Sequence, residues 1–230
     1  FIVFHPRHPK VFRVAQHTDA IGINQPRLVM SFYRGIERIC ARFVQGFIAL
    51  DEATKMYLKE RCGVPESKIR VIPVAVDHAM FKPMDRAQAR TKLGFPVENE
   101  IVLYVGKMTP VKNIPMLLDA FRYLKEIRPQ TMLFLAGTGP CKNEWQHLAR
   151  ERGISNVRFL GYVDRNEMPV LMNAADVLAL ASLSEVSPNV IREAIACGLP
   201  VVSTRVGDVP QHVIDDVNGY IVETEPQSFA

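Results

Sequence analysis

The feature that most constrains the fold is an alternation, kept up along most of the chain, of short β-rich apolar runs with amphipathic stretches of helical length. Such alternation is typical of βαβ units, which build a parallel sheet covered by helices. It is most regular over residues 100–230, where it predicts a nearly complete doubly wound α/β domain. The strands expected there lie over residues 100–105, 131–136, 156–160, 176–180, 200–204 and 219–222. The helices expected between them lie over residues 113–127, 141–152, 166–174 and 189–197.

The front of the chain carries a shorter version of the same pattern. We expect a strand that runs into a loop at His17, a helix over residues 26–42, and a second strand that ends before Asp51. Aspartate is a residue type that caps helices, so a second helix is expected to follow it. A third strand starts at Lys68. A doubly wound domain typically has about six strands, so the front predicts only part of such a domain.

Residues 83–99 interrupt the alternation. They are polar and carry prolines near both ends, a composition that is typical of a linker. We therefore expect three parts: residues 1–82 as the C-terminal part of one Rossmann-like domain, the linker over residues 83–99, and residues 100–230 as a second Rossmann-like domain. On this pattern both ends of the chain are expected to be cut from something longer.

Composition excludes several classes of protein. Apolar residues make up 48% of the chain and charged residues 23%, which excludes disorder. No apolar run reaches the ~18–20 residues of a membrane span, and the first residues do not resemble a signal peptide. The four cysteines are scattered, without the spacing of metal ligands, and a net charge of +4 is too low for a nucleic-acid reader. We therefore expect a cytoplasmic protein with reduced cysteines, no metal site and no nucleic-acid partner.

The loops after the predicted strands are candidate sites, because ligands of open α/β sheets bind beyond the carboxyl ends of the strands. In the loop that follows residues 100–105, Gly106 permits a tight turn, and Lys107 and Lys112 lie five positions apart. Two ammonium groups at this edge would clamp a diphosphate. Two solvated lysines would give the same pattern, and the residues alone leave both interpretations open.

A second loop holds Gly137 and Gly139, directly after the strand over residues 131–136. A dinucleotide-binding fingerprint needs a third glycine where Lys142 stands, and an acidic residue about 20 positions later that this chain lacks. NAD binding is therefore not expected. The two glycines either let the backbone approach a ligand or simply form a turn.

The third loop carries Glu185 and leads into a helix that is expected to begin near Asn189. The unpaired N–H groups at such a helix start favour an anion by roughly 0.3–1 kcal/mol. Glu193 lies about one turn further along, among apolar neighbours, where a carboxylate needs a partner. The two hydroxyls of a ribose are one candidate; an ion pair with Arg192 or with a lysine is the other.

Several motifs, in order along the chain, resemble one known family. The spacing of Glu185 and Glu193, followed by AIACGLPVVSTRVGDVP and NGYIV, resembles the donor half of the family-4 (group 1) retaining glycosyltransferases, which have the GT-B fold. KIRVIPVAVDHAMFKP resembles the segment that joins the two domains of that family, and YVGKMTPVKNI resembles its phosphate loop. VRFLGYVDRNEMPVLMNAADVLAL resembles its base-binding loop and the helix that follows. The resemblance runs from about residue 16 to residue 222.

The resemblance implies a GT-B fold of two Rossmann-like doubly wound domains. The N-terminal, acceptor-side domain would be incomplete in this chain. The C-terminal domain would bind the nucleotide sugar and would lack the final helix that crosses back to the first domain. The chain departs from the family pattern at Lys107, where arginine is usual, at Val186, where glycine is common, and at Gln211, where glutamate is common. A lysine keeps the positive charge but loses the bidentate fork of arginine.

The resemblance also implies roles for individual residues. Lys107 and Lys112 would hold the donor diphosphate, and Glu193 would bind the ribose hydroxyls. Glu185 would contact the hydroxyls of the transferred sugar, and His17 would lie near that sugar. His17, Glu185 and Lys112 are thus the implied catalytic residues. The other implied donor-binding positions are Gly106, Gly137, Gly139, Tyr162, Val163, Ser187, Asn189 and Val190.

The implied activity is transfer of a sugar, with retention, from a nucleotide-diphosphate donor to a glycan or lipid-linked acceptor, in cell-surface polysaccharide or glycolipid synthesis. A UDP-sugar is the favoured donor. Protein groups would neutralise the leaving diphosphate, because the chain has no Asp-x-Asp motif for a divalent metal. The stripe of Arg34, Arg38 and Arg42 would permit peripheral contact with the inner face of the membrane, or is a solvated helix face. Two other functions stay open: a GT-B-fold nucleotide-sugar epimerase, and a catalytically silent glycosyltransferase-like binding subunit.

Overall fold

The computed structural model describes residues 2–5, 8–15, 32, 35, 36, 38, 39 and 43–230. The chain divides into two compact units, Phe1–Ala75 and Val76–Ala230. Each unit is built on its own sheet; over the described residues, the first sheet has four strands and the second has six.

The first unit contains a mostly parallel sheet. Its strands are β1 (Ile2–His5), β2 (His8–Ala15), β3 (Gly46–Ala49) and β4 (Ile69–Val71). They pair in chain order, with β1 antiparallel to β2 and the other neighbours parallel. The three strands that the sequence predicts are therefore confirmed. β1 has no counterpart in that prediction, because four residues are too few to show a period and the strand is defined by its pairing with β2.

Helix α1 (Glu52–Glu60) begins as its sequence predicts. The Asp51 carboxylate accepts a hydrogen bond from the backbone N–H of Thr54 at 2.6 Å, which satisfies one of the free donors at the helix start. Leu58 of this helix belongs to the core of the first unit together with Phe47 of β3. The cap and the apolar face thus fix where α1 starts and which side of it is buried.

Two further predictions concern the front of the chain. The helix expected over residues 26–42 is helical at the described positions 32, 35, 36, 38 and 39. His17 lies outside the described residues, so its implied place beside the transferred sugar stays a prediction.

The prediction of a linker over residues 83–99 is wrong. The segment contains helix α2 (Arg86–Leu93), which lies within the second unit and packs against helix α5 (Met168–Ala174). The side chains of Ala89 and Arg90 are both buried in this contact. The helix is hard to recognise from its sequence, because its buried face consists of one small residue and one charged residue, whereas a typical core-facing helix shows an apolar stripe.

The second unit is a doubly wound α/β domain. Its strands are β5 (Ile101–Val105), β6 (Met132–Ala136), β7 (Val157–Gly161), β8 (Val177–Leu180), β9 (Val201–Thr204) and β10 (Gly219–Val222). Besides α2 and α5, its helices are α3 (Ile114–Ile127), α4 (Lys142–Glu151), α6 (Asn189–Ala196) and α7 (Pro226–Phe229). All six strands, and α3 to α6, were predicted to within about two residues.

The strand order of this sheet is β10-β9-β8-β5-β6-β7, and every pairing is parallel. The order reverses between β5 and β8, which makes that point the topological switch of the sheet. The central strands are fully buried, as Leu103 of β5 and Leu133 of β6 show, and α3 covers one face through Leu118. A rigid central sheet of this kind holds the loops at its carboxyl edge in fixed positions.

Candidate functional site

The predicted site residues of the second unit follow strands that lie side by side at the switch point. Gly106 comes directly after β5, Gly137 directly after β6, and Glu185 lies in the loop between β8 and α6. Because the strands are parallel, these loops emerge at the same edge of the sheet. The backbone N–H of Leu183 donates to the carbonyl of Val111 at 2.8 Å, which joins the loop after β8 to the loop after β5.

The two glycines after β6 allow two loops to touch. A Cβ atom on Gly137 would lie 1.9 Å from the carbonyl oxygen of Gly106, and one on Gly139 would lie 2.3 Å from the carbonyl oxygen of Met108. The backbone N–H of Met108 also donates to the carbonyl of Thr138 at 2.8 Å. The glycines are therefore required for close packing of the loop after β6 against the loop after β5.

A cleft of about 300 Å³ opens at the carboxyl ends of β5 and β6. Five of the predicted donor-binding residues line it: Gly106, Lys107, Gly137, Tyr162 and Val163. The sequence assigned these residues to a phosphate loop, a glycine loop and a base-binding loop that are far apart in the chain. The fold brings the three loops together around one cavity.

Lys112 forms an ion pair with Glu185. The Lys112 Nζ atom contacts the Glu185 Oε1 atom, and the two side chains are only 18% and 13% exposed. The hydroxyl of Ser182 donates to the same carboxylate oxygen at 2.7 Å. The structure thus places Lys112, the predicted diphosphate-binding residue, in contact with Glu185, the predicted sugar-binding residue, and their opposite charges neutralise each other.

The same carboxylate also influences Tyr104. Burial and the nearby Glu185 charge both raise the pKa of Tyr104. The phenol therefore stays protonated and donates to the carbonyl of Lys107 at 3.3 Å. Lys107 itself is exposed at the cleft, whereas Lys112 is mostly covered. Within the predicted clamp, the two lysines are thus in different environments.

Glu193 forms a further charged contact, with Arg165. Its side chain is 13% exposed, and its Oε1 atom lies 3.3 Å from the Nη1 atom of Arg165. Burial raises the pKa of the Glu193 carboxyl, and the positive charge of Arg165 opposes that rise. Arg165 in turn lies over the ring of Phe81, 5.4 Å from its centroid. Of the ion-pair partners that the sequence left open, neither Arg192 nor a lysine contacts Glu193 in the described part of the chain; Arg165 does.

Arg192 belongs to a network that the sequence did not reveal. Its guanidinium forms an ion pair with Asp208, and its Nη2 atom donates to the hydroxyl of Ser187 at 2.6 Å. The Ser187 hydroxyl donates to Asp208 Oδ2 at 2.9 Å, and Arg192 Nε donates to Nε2 of His212 at 3.2 Å. Arg192 and Asp208 are 16 positions apart in sequence, so their contact depends on the fold, and local spacing gives no signal for it.

The start of α6 lies beside this network. The helix begins at Asn189, as predicted, after Pro188, which has no side-chain capping group. Asn189 is exposed and Val190 is half-buried. The predicted anion-facing backbone positions Ser187, Asn189 and Val190 thus lie in the last part of the Glu185 loop and the first turn of α6.

Two findings concern other classes of site. Among the described residues, no cluster of three or more histidine, cysteine, aspartate or glutamate side chains is arranged to hold a metal ion. In the same part of the chain, no helix combines the length and the apolar character needed to cross a bilayer.

A doubly wound parallel sheet, with a second, mostly parallel sheet before it in the chain, is the architecture of the GT-B glycosyltransferase class, and solved structures of that class share this fold. The chain belongs to the glycosyl transferases group 1 family, whose model matches residues 85–230. Residues 11–80 match the model of Glycosyltransferase Family 4.

Curated relatives with similar sequences are D-inositol 3-phosphate glycosyltransferases. The protein from Mycobacterium leprae is 36% identical over 174 residues, which are 75% of this chain and 40% of the relative. The protein from Segniliparus rotundus is 32% identical over 173 residues, which are 73% of this chain and 38% of the relative. The chain therefore spans about two fifths of the length of these relatives.

Solved structures with the same fold include two from cyanobacteria. The Anabaena HepE protein in complex with UDP and glucose superposes with a TM-score of 0.75 at 26% identity, over 96% of this chain and 60% of that protein. Sucrose-phosphate synthase from Thermosynechococcus elongatus superposes with a TM-score of 0.80 at 24% identity, over 94% of this chain and 56% of that protein. The second likeness concerns the fold alone.

Proposed function

We propose that this chain is the donor-binding part, with a portion of the acceptor side, of a retaining glycosyltransferase. The donor is a nucleotide-diphosphate sugar, with a UDP-sugar favoured, and the acceptor is a glycan or a lipid-linked sugar in cell-surface polysaccharide or glycolipid synthesis. The observation that carries the proposal is the Lys112–Glu185 ion pair, which joins the residue that we propose binds the diphosphate to the residue that we propose binds the sugar.

The diphosphate would lie between the lysines and the start of α6. Lys107 is exposed at the cleft, and Lys112, from the same loop, is held by its ion pair with Glu185. The first N–H groups of α6 carry partial positive charge and add to this field. As the bond between the sugar and the diphosphate breaks, negative charge grows on the leaving group, and these groups stabilise it. In this proposal the protein alone neutralises the diphosphate, without a divalent metal.

The sugar and nucleoside parts have their own contacts. Glu185, released from Lys112, would accept hydrogen bonds from hydroxyls of the transferred sugar, and Glu193 would accept them from the ribose. The base would lie in the cleft, against the backbone of Tyr162 and Val163. Tyr162 and Val163 both line this cleft, and Tyr162 is 75% exposed.

A uridine donor is supported by the neighbouring structures. HepE was solved in complexes with UDP, with UDP and glucose, and with UDP-glucose, at identities of 26% to 28%. These ligands contain a nucleoside base, which agrees with the base-binding role that we propose for the cleft. The acceptor, the role of His17 and a peripheral membrane contact stay predictions.

A thermal-shift titration with UDP, GDP and ADP tests the donor site. Each nucleotide is added to the chain in EDTA and, separately, in Mg²⁺. A ligand at 100 times its dissociation constant stabilises a folded protein by about 2.7 kcal/mol. We expect UDP to raise Tm equally in both buffers, and the Glu193→Ala variant to lose the effect. The matched control is Glu126→Ala, which removes an exposed glutamate on α3.

The outcomes separate the possible functions. Stabilisation by GDP or ADP instead of UDP would identify that nucleotide as part of the donor. A requirement for Mg²⁺ would contradict the proposal that the diphosphate is neutralised without a metal. Incubation of the protein with the donor then distinguishes the activities. A nucleotide-sugar epimerase converts the donor without an acceptor, a transferase needs the acceptor, and a silent binding subunit does neither.

A further inference from the structure

The network around Arg192 contacts the loop that carries Glu185. Ser187, in that loop, is held at its hydroxyl by both Arg192 and Asp208, at 2.6 and 2.9 Å. His212 completes the network, with its Nε2 atom 3.2 Å from Arg192 Nε and 3.4 Å from Asp208 Oδ2. We call these four residues the Arg192 network, and residues 183–188 the Glu185 loop.

The backbone makes a second connection between the same two segments. The N–H of Asp208 donates to the carbonyl of Val186 at 3.1 Å. A Cβ atom on Gly207 would lie 2.3 Å from that carbonyl oxygen and 2.8 Å from the carbonyl oxygen of Glu185. The turn at residues 207–208 thus presses against the backbone of Glu185 itself, and the Arg192–Asp208 ion pair fixes that turn.

Stability alone does not explain the ion pair. The side chains of Arg192 and Asp208 are 10% and 3% exposed. Within the described part of the chain, the buried atoms Arg192 Nη1 and Asp208 Oδ1 have no hydrogen-bond partner. Buried ion pairs with incomplete hydrogen bonding are often no more stable than an apolar pair of the same volume, because both charges lose their hydration. Their best attested use is to fix one arrangement of the chain.

We propose that Arg192 and Asp208 are positioning residues, which set the place of the Glu185 loop and thereby the contact of Glu185 with the sugar of the donor. The inference rests on the proposed function for its sugar contact. Its structural half, the ordering of the loop by the ion pair, is independent of any ligand.

The decisive variant replaces both partners by apolar residues, Arg192→Met with Asp208→Leu. It removes the cost of burying two charges, so Tm is expected to equal or exceed that of the wild type. Ser187 then loses both of its side-chain partners. By isothermal titration, we expect the preference for UDP-glucose over plain UDP to fall about tenfold, the factor that a hydrogen bond to a charged group commonly contributes. An unchanged preference in a variant of unchanged Tm would overturn the proposal.

A ligand-free measurement keeps the test independent of the donor. Hydrogen–deuterium exchange of the amides in the Glu185 loop is expected to be faster in the double variant than in the wild type, at equal Tm. If the wild type binds no nucleotide, the proposed function fails, and this exchange alone decides the positioning role. Unchanged exchange would overturn it.

A second buried ion pair of the chain provides the control. Arg90 Nη2 contacts Asp176 Oδ2 at 2.6 Å, with Arg90 only 4% exposed. Asp176 precedes β8, so this pair lies at the amino ends of the strands, away from the site. Asp176→Asn and Asp208→Asn are both expected to lower Tm, since each leaves an unpaired buried arginine. Only Asp208→Asn is expected to change the preference between UDP-glucose and UDP. An equal change of that preference in both variants would contradict the proposal.

Discussion

Gly137 faces the carbonyl oxygen of Gly106 so closely that a Cβ atom there would lie only 1.9 Å from it. The contact locks the loop after β6 onto the loop after β5 at the floor of the proposed donor cleft. Gly137 also has a φ of +137°, in a region that other residues rarely adopt. Conformation and space both demand glycine at this position.

Gly137→Ala is therefore expected to destabilise the chain by about 3 kcal/mol or more, since the strained backbone and the overlap act together. Gly153→Ala is the matched control. Gly153 has a φ of +61° but nothing within 4 Å of its Cβ position, so only the backbone cost of about 1–2 kcal/mol applies. Urea unfolding measures both variants, and equal losses would mean that the two loops separate without cost.

Lys112→Ala is expected to weaken UDP binding by about tenfold or more, because one charge-assisted contact to the diphosphate is lost. Isothermal titration at low ionic strength measures the change. Lys92→Ala, which removes an exposed lysine from α2, controls for the loss of net positive charge. UDP affinity that is the same in all three proteins would remove Lys112 from the phosphate site.

Glu185→Gln separates the two halves of the ion pair. The substitution removes the negative charge that pairs with Lys112, so plain UDP is expected to bind more tightly. UDP-glucose is expected to lose affinity relative to UDP, because a neutral amide accepts weaker hydrogen bonds from the sugar than a carboxylate does. Competition titrations of the two ligands on one variant give the ratio directly. If the affinities for UDP and UDP-glucose change by the same factor, Glu185 does not contact the sugar.

The burial of Glu193 predicts that the stability of the folded chain depends on pH. Burial raises the pKa of its carboxyl above the ordinary value of 4.5, so the folded chain binds this proton more tightly than the unfolded chain. Stability contributed by the protonated form is present below pH 4.5 and is lost as the pH rises through the folded pKa. Glu193→Gln is thus expected to have a higher Tm than the wild type at pH 8, with a difference that shrinks toward pH 4.5. A lower Tm of the variant at pH 8 would mean that the Arg165 ion pair outweighs the cost of burial.

Arg165→Ala tests how the positive charge of Arg165 affects the pKa of the Glu193 carboxyl. Without the guanidinium, the pKa of the Glu193 carboxyl rises further, because only burial then acts on it. UDP binding is expected to weaken at a higher pH than in the wild type as the solution is acidified. Arg158→Ala is the control, since Arg158 lies over the ring of Phe134 at 5.5 Å and makes an equivalent aromatic contact elsewhere. The same shift in both variants would exclude a specific effect on Glu193.

The sequence predicted the second unit well for a physical reason. Strands such as β5 and β6 are buried on both faces, and their continuous apolar runs stand out against amphipathic helices such as α3. Once the strands are known, a parallel sheet places the residues that follow them at one edge. For that reason Gly106, Lys107 and Gly137 were grouped correctly around one cleft.

The failures share a different cause. Helix α2 buries Ala89 and Arg90, and a buried arginine gives a polar pattern that resembles a linker. The pairing of Glu193 with Arg165, and of Arg192 with Asp208, depends on how α6 lies against other loops, which no local period encodes. Tertiary ion pairs were therefore the part of the site that required the structure.

The pairing of Lys112 with Glu185 has a consequence for the kind of ligand that these two side chains accept. A free inorganic anion that approaches Lys112 must separate it from Glu185 and leaves a buried carboxylate uncompensated. A molecule with phosphate at one end and hydroxyl donors at the other satisfies both partners at once. With the roles proposed above, this ion pair discriminates against small inorganic anions and favours ligands that carry both groups.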